Sequence, residues 1–237
     1  MLGLTNGVTN TSYQWQPNMV SATMALWLRN GVGVTAAQWD DSSGNGRHIT
    51  QAVGGNRAIV SGGGLDFESS EADHYDITRS DIEIPAEEAF MVFIVCDIES
   101  YDSQNSLLGV SGTGAFLELQ NTTRLRIKTS TTGDTDIIQY ASDTFATGEK
   151  ALFGVQREAG STGLVKVFKN GSLLPVVANA SGDGNNTGAI TFDVVAMRND
   201  DRHFDGKIYE MIVYEATDLK AGEIDKINNY LINKHGL

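Results

Sequence analysis

Cysteine is almost missing from this chain of 237 residues, which has one, Cys96. No intrachain disulfide can form, so a hydrophobic core must hold the fold. Cys96 lies in the apolar run "AFMVFIVCDI", without the polar, electropositive surroundings that make a reactive thiolate. It reads as a buried core residue. Proline is scarce as well, at 3 against 26 glycines, so Gly, Asn and Asp must make the turns. Cations are few: 17 Lys and Arg face 30 Asp and Glu, for a net charge of −13. No run of Lys and Arg gathers the charge that a nucleic-acid interface needs, and the acidic balance opposes contact with anionic lipid. Nucleic acid is therefore not an expected partner. No stretch is long and apolar enough to span a bilayer as a helix, so membrane insertion is not expected. The opening "MLGLTNGVTNTSYQW" has neither the basic start nor the apolar middle of a secretory leader.

Catalytic motifs are also lacking. His48, His74, His203 and His235 are scattered, with no H-x-H or H-E-x-x-H pair. No G-x-S-x-G elbow occurs. "SGTG" at 111–114 is followed by no Lys-Ser/Thr and reads as a turn. "EADHYD", residues 71–76, carries Glu71, Asp73 and Asp76 at a spacing like the E-x-D-x-x-E strand of sandwich glucanases. The third acid is one methylene short, however, and "SSEAD" reads as loop. Glycoside hydrolysis is the least favoured function.

What the chain does have is strand pattern. "AFMVFIVCDI", 89–98, is a continuous β-branched and aromatic run of strand length, expected to be central and covered on both faces. "RLRIKT" alternates: Leu125 and Ile127 point inward, while Arg124, Arg126 and Lys128 form a solvated sheet face. Asn170-Gly171 supplies the positive φ angles of a type I′ hairpin turn. The last segment, "AGEIDKINNYLINKHGL", is helical, with Ile224, Ile227 and Leu231 as its apolar stripe and Gly236 suited to its end. Many strands and one terminal helix predict an all-β, antiparallel jelly-roll β-sandwich over residues 21–237, preceded by an irregular arm at 1–20.

"ALWLRNGVGVTAAQWDDSSGNGRHIT" and "GLDFE" resemble the opening of laminin-G-like, concanavalin A-like jelly-roll domains. The ending is similar to the closing pattern of that family through Phe204, Gly206, Ile208, Glu210, Leu219, Glu223, Ile227, Tyr230, Leu231, Lys234 and Gly236. The resemblance covers residues 24–237 and implies that Trp27 and Trp39 are core residues. Where the family places a Ser cap on the last helix, this chain has Lys220, which cannot accept a hydrogen bond; Asp218 is the nearest replacement. The start of the chain also resembles structural proteins of marine tailed bacteriophages. That resemblance implies a non-enzymatic virion protein, a capsid decoration or tail component, with other virion proteins or further copies of itself as partners. The competing function is a carbohydrate-binding module for a cell-surface polysaccharide.

Three groups of candidate site residues follow. In "QWDDSSGNGRH", residues 38–48, Asp40, Asp41 and Asn45 offer oxygen ligands for calcium, but the spacing departs from D-x-D-x-D-G, so a Gly-rich turn is preferred and no cofactor is expected. Tyr101 and Tyr140 are candidate sugar-stacking residues. Tyr13 and Trp15 are aromatic anchors with which the arm would dock on a neighbouring subunit; the alternative is that the arm folds back over its own sandwich as an edge strand.

Overall fold

A computed structural model describes residues 15–102, 104–112, 114–129, 135–181, 186–199 and 201–237. Among them, two antiparallel sheets face each other and one α-helix, Ala221–His235, closes the chain. The first sheet has the strand order Ser172–Leu173, Val165–Lys169, Ala151–Arg157, Phe90–Ile98, Gly206–Glu215, Gly64–Phe67, Ile59–Ser61, and Thr23–Leu28 also pairs with Gly206–Glu215. The second runs Ala178–Ser181, Thr135–Gln139, Arg124–Lys128, Phe116–Asn121, Asn105–Gly109, Val194–Val195, Tyr75–Ile77, Ile49–Thr50, Gln38–Trp39. This is the expected antiparallel sandwich.

The strand Phe90–Ile98 explains why its sequence is apolar throughout. Phe90, Val92, Ile94 and Cys96 point into the core between the sheets, among Leu117, Leu125, Ile127 and Trp39. Met91, Phe93 and Val95 point the other way, into a second core with Trp27, Leu152, Ile212 and Tyr214. The helix roofs that second core with Ile224, Ile227 and Leu231, as their spacing predicts. Burial pushes the Cys96 thiol up, which keeps it protonated and inert. Asn170 and Gly171 both have positive φ, 47° and 80°, in the hairpin between Val165–Lys169 and Ser172–Leu173.

The helix solves its capping problem without Asp218. Glu223 Oε2 accepts a hydrogen bond from the Lys220 N–H at 3.1 Å, and Glu223 Oε1 accepts from both the N–H and the hydroxyl of Ser21. Those backbone donors hold the Glu223 carboxyl below its ordinary range. The other end closes on Gly236, whose φ of 67° is the left-handed cap expected there.

Ser21 directly follows the segment read as a docking arm, whose described part packs on its own domain. Trp15 lies edge-on to Tyr230 of the helix, with ring centroids 6.2 Å apart, and the Tyr214 hydroxyl donates to the Pro17 carbonyl at 2.9 Å. The described part of the arm is thus anchored on its own domain through Trp15. It does not form an edge strand: residues 17–19 make a short 3-10 turn. Tyr13 lies outside the described residues.

Candidate ligand-binding groove

The loop 38–48 is a structural device. The strand Thr23–Leu28 slips register between Met24 and Leu26, which leaves the Ala25 carbonyl without a ladder partner. Asn45 Nδ2 donates to it at 3.0 Å and Arg47 Nη1 at 3.2 Å. Asp41 accepts four hydrogen bonds: from the Trp27 and Ser43 N–H groups on Oδ1, and from the Ser43 hydroxyl and the Arg47 N–H on Oδ2. Asp40 accepts from Gln38 Nε2 at 2.5 Å. The three candidate calcium ligands are therefore committed to separate tasks, and the loop repairs a bulge. Trp39 plugs the core beneath it with no exposed surface, its Nε1 donating to the Arg29 carbonyl at 3.1 Å.

The two candidate sugar-stacking tyrosines are corrected. Tyr140 is 2% exposed and packs edge-on against Phe145, so it offers no face to a ligand. Tyr101 is half-buried against the core, and its hydroxyl donates to the Phe145 carbonyl at 2.8 Å. Burial pushes both hydroxyls up.

The outer face of the second sheet is also less open than its alternation predicts. Glu118 is fully buried there, paired with Arg126 at 2.6 Å and Arg198 at 2.5 Å. Gln104 Oε1 accepts from both guanidinium groups, and Arg198 lies 4.0 Å over the Phe116 ring. Arg126, expected in solvent, is a working member of this network. At one end of the sandwich, carboxylate oxygens of Asp66, Glu68 and Glu99 lie within 4.8 Å of one another. They are the residues that could hold a metal ion. The Lys207 ammonium already pairs with two of the three, 2.7 Å from Glu99 and 3.2 Å from Asp66. Burial and the neighbouring charges of Asp205, Glu99 and Asp66 push Glu68 up.

A concavity lies elsewhere, between the folded-back arm, the end of the strand Thr23–Leu28 and the helix. It holds about 710 Å³. Its aromatic wall is Trp15 and Tyr230, continued inward by Trp27, whose ring is 6.4 Å from that of Tyr230. Gln16, Asn229 and Asn233 bring amide groups, and Arg29, Lys226 and Lys234 bring positive charge. Arg29 lies 5.1 Å over the Trp27 ring. Burial and the Glu210 charge push the Tyr230 hydroxyl up, opposed by the nearby positive charge of Arg29.

Beneath the groove sits Glu210, whose side chain is fully buried. It accepts from Trp27 Nε1 at 2.9 Å, Lys234 Nζ at 2.6 Å and His235 Nε2 at 2.8 Å. Burial alone would raise its carboxyl; the His235 and Lys234 contacts outweigh burial and hold it below the usual range. This ties the strand to the last turn of the helix and so fixes the groove wall. Of the groove residues, the sequence singles out Trp15, for another role, and Tyr230 and Lys234 only as members of the closing pattern. The signal was present: Lys226, Asn229, Tyr230, Asn233 and Lys234 recur at i, i+3, i+4, i+7 and i+8, one face of a helix.

The fold has solved counterparts. The chain aligns with Trypanosoma rangeli sialidase in complex with 2,3-difluoro-KDN at 13% identity and a TM-score of 0.58, covering 90% of this chain and 33% of that one. It aligns with the botulinum neurotoxin type G receptor binding domain at 15% identity and a TM-score of 0.54, covering 89% and 52%. The binding domain of Paraclostridial Mosquitocidal Protein 1 gives 13% identity and 0.58, covering 92% and 54%. The chain thus spans about a third to a half of these proteins, and the likeness is one of fold. No protein-family model and no curated protein matches it.

Proposed function

We propose that this chain is a non-catalytic carbohydrate-binding sandwich module, carried on a virion, with the groove between the arm and the C-terminal helix as its saccharide site. The observation that carries this reading is the composition of the groove: a Trp15–Tyr230 wall beside three amide side chains and three cations in an open concavity. Aromatic faces stack on the apolar face of a pyranose, and amides meet its hydroxyls with both donors and acceptors. Sites of this kind combine an apolar wall with a few convergent polar groups.

Support for a binding role comes also from the solved counterparts, two of which are binding domains by name. The virion setting rests on the resemblance of the opening sequence to phage structural proteins. A non-catalytic role fits the placement of Glu71, Asp73 and Asp76. Glu71 ends a 3-10 turn, Asp73 follows left-handed Ala72, and only Asp76 lies on the strand Tyr75–Ile77. The three acids do not share one strand, as they do in the E-x-D-x-x-E pattern of sandwich glucanases.

The test is a glycan microarray probed with the wild-type chain and with Asn233→Ala. Asn233 is exposed, so its loss leaves the fold intact. Specific signal on a subset of glycans that falls in the variant supports the proposal. Absence of signal on every glycan, or signal that the variant keeps in full, overturns it.

A further inference from the structure

We propose that the saccharide held in this groove bears a carboxylate, as a hexuronate or a sialic acid does. The inference rests on the carbohydrate-binding reading and adds the chemical class of the sugar.

The first argument is charge. The chain carries 30 acidic residues against 17 basic ones. Yet three of the eight residues lining the groove are cations and none is an acid. The nearby carboxylate, Glu210, is fully buried and already paired with Lys234 and His235. Arg29 and Lys226 have no carboxylate partner among the described residues; the ion pairs found there involve neither. A strongly acidic protein that keeps two cations without a carboxylate partner in one groove is arranged to receive an anion.

The second argument is preorganisation. Arg29 is held at 5.1 Å over the Trp27 ring. The Trp27 contact orients its planar fork before a ligand arrives, which lowers the ordering cost of binding. A guanidinium fork matches the two oxygens of a carboxylate. The third argument is spacing. Lys226 and Tyr230 are four residues apart, as are Asn229 and Asn233, so each pair is separated by about 5–6 Å along the helix face, which is the scale of one pyranose ring. A sugar lying along the helix meets the ring of Tyr230, the two amides and a cation at once, with its carboxylate on Arg29.

The experiment is calorimetric titration of the full chain with sialyllactose, oligogalacturonate and oligomannuronate, each paired with its carboxyl-reduced neutral form, and with sulfated dextran oligosaccharide. At least one acidic glycan should bind about tenfold or more tighter than its reduced form, the value of one charge-assisted contact, and the difference should shrink as salt rises. Lys226→Gln and Arg29→Gln should each erase most of that difference. Lys226 is exposed, so its variant reports on binding even if Arg29→Gln unfolds. Equal binding of acidic and reduced forms overturns the carboxylate inference and leaves the carbohydrate reading standing. Preference for the sulfated oligosaccharide also overturns it. Binding of none of these saccharides overturns both.

Discussion

Replacing Glu210 by Gln tests whether the pairing beneath the groove holds the helix to the sandwich. The carboxylate has no exposed surface and takes hydrogen bonds from an indole, an ammonium and an imidazole at 2.6–2.9 Å. Gln keeps the shape and one acceptor for Trp27 but removes the charge that faces Lys234. Removing one member of a buried pair costs about 3–5 kcal/mol; Lys234 retains 24% side-chain exposure and can turn to water, so the lower end, about 3 kcal/mol, applies. The pH dependence follows from the direction of the shift. The folded-state pKa of Glu210 lies below its unfolded value, so its contribution is fully present above the unfolded value, about 4.3, and is lost as pH falls through the folded one. Urea denaturation of wild type and Glu210→Gln at neutral pH should show the full deficit, and the two curves should converge in acid. Equal stability at neutral pH, or a deficit that does not change with pH, would refute the reasoning.

Trp39→Ala should cost about 3–5 kcal/mol in chemical denaturation, because it empties a fully buried site; a variant that melts normally would contradict the core placement. Tyr101→Phe should lose about 1 kcal/mol with its bond to the Phe145 carbonyl. Tyr140→Phe should be neutral or stabilising, since the Tyr140 hydroxyl is buried without a hydrogen-bond partner among the described residues. Chelation with EDTA should leave the melting temperature unchanged, while Asp41→Ala should lower stability by about 2–4 kcal/mol as four donors lose their acceptor; a large drop with EDTA would make the loop a calcium site after all.

The sandwich was legible because its signals are local. The continuous run at 89–98 needs two covered faces, and the structure supplies them with the second sheet on one side and the helix on the other. The same holds for the Asn170-Gly171 turn and for the stripe Ile224, Ile227, Leu231. The closing pattern also acquires a physical cause: its Glu and its Lys are Glu210 and Lys234, which pair across 2.6 Å. What the sequence hid is long-range. Glu118 and Arg198 are 80 positions apart, so the buried partner of Arg198 has no local signature. The groove gathers residues 15–16, Arg29 and the face 226–234, which no spacing rule connects. Tyr101 and Tyr140 misled because a loop position says little about burial: the chain turns both rings back toward Phe145. Trp15 was read as an anchor on a neighbouring subunit, and its described ring contact is with Tyr230 of the chain's own helix.

The most direct test of the central claim is an amide NMR titration of the full chain with the saccharide that gives the strongest microarray signal. Saccharide binding in the groove predicts that the largest shifts fall on Gln16, Arg29 and residues 226–234, and that Asn233→Ala abolishes them. Largest shifts on the outer face of the second sheet, around Glu118, Arg126 and Arg198, or at the acidic end around Asp66 and Glu99, would contradict it.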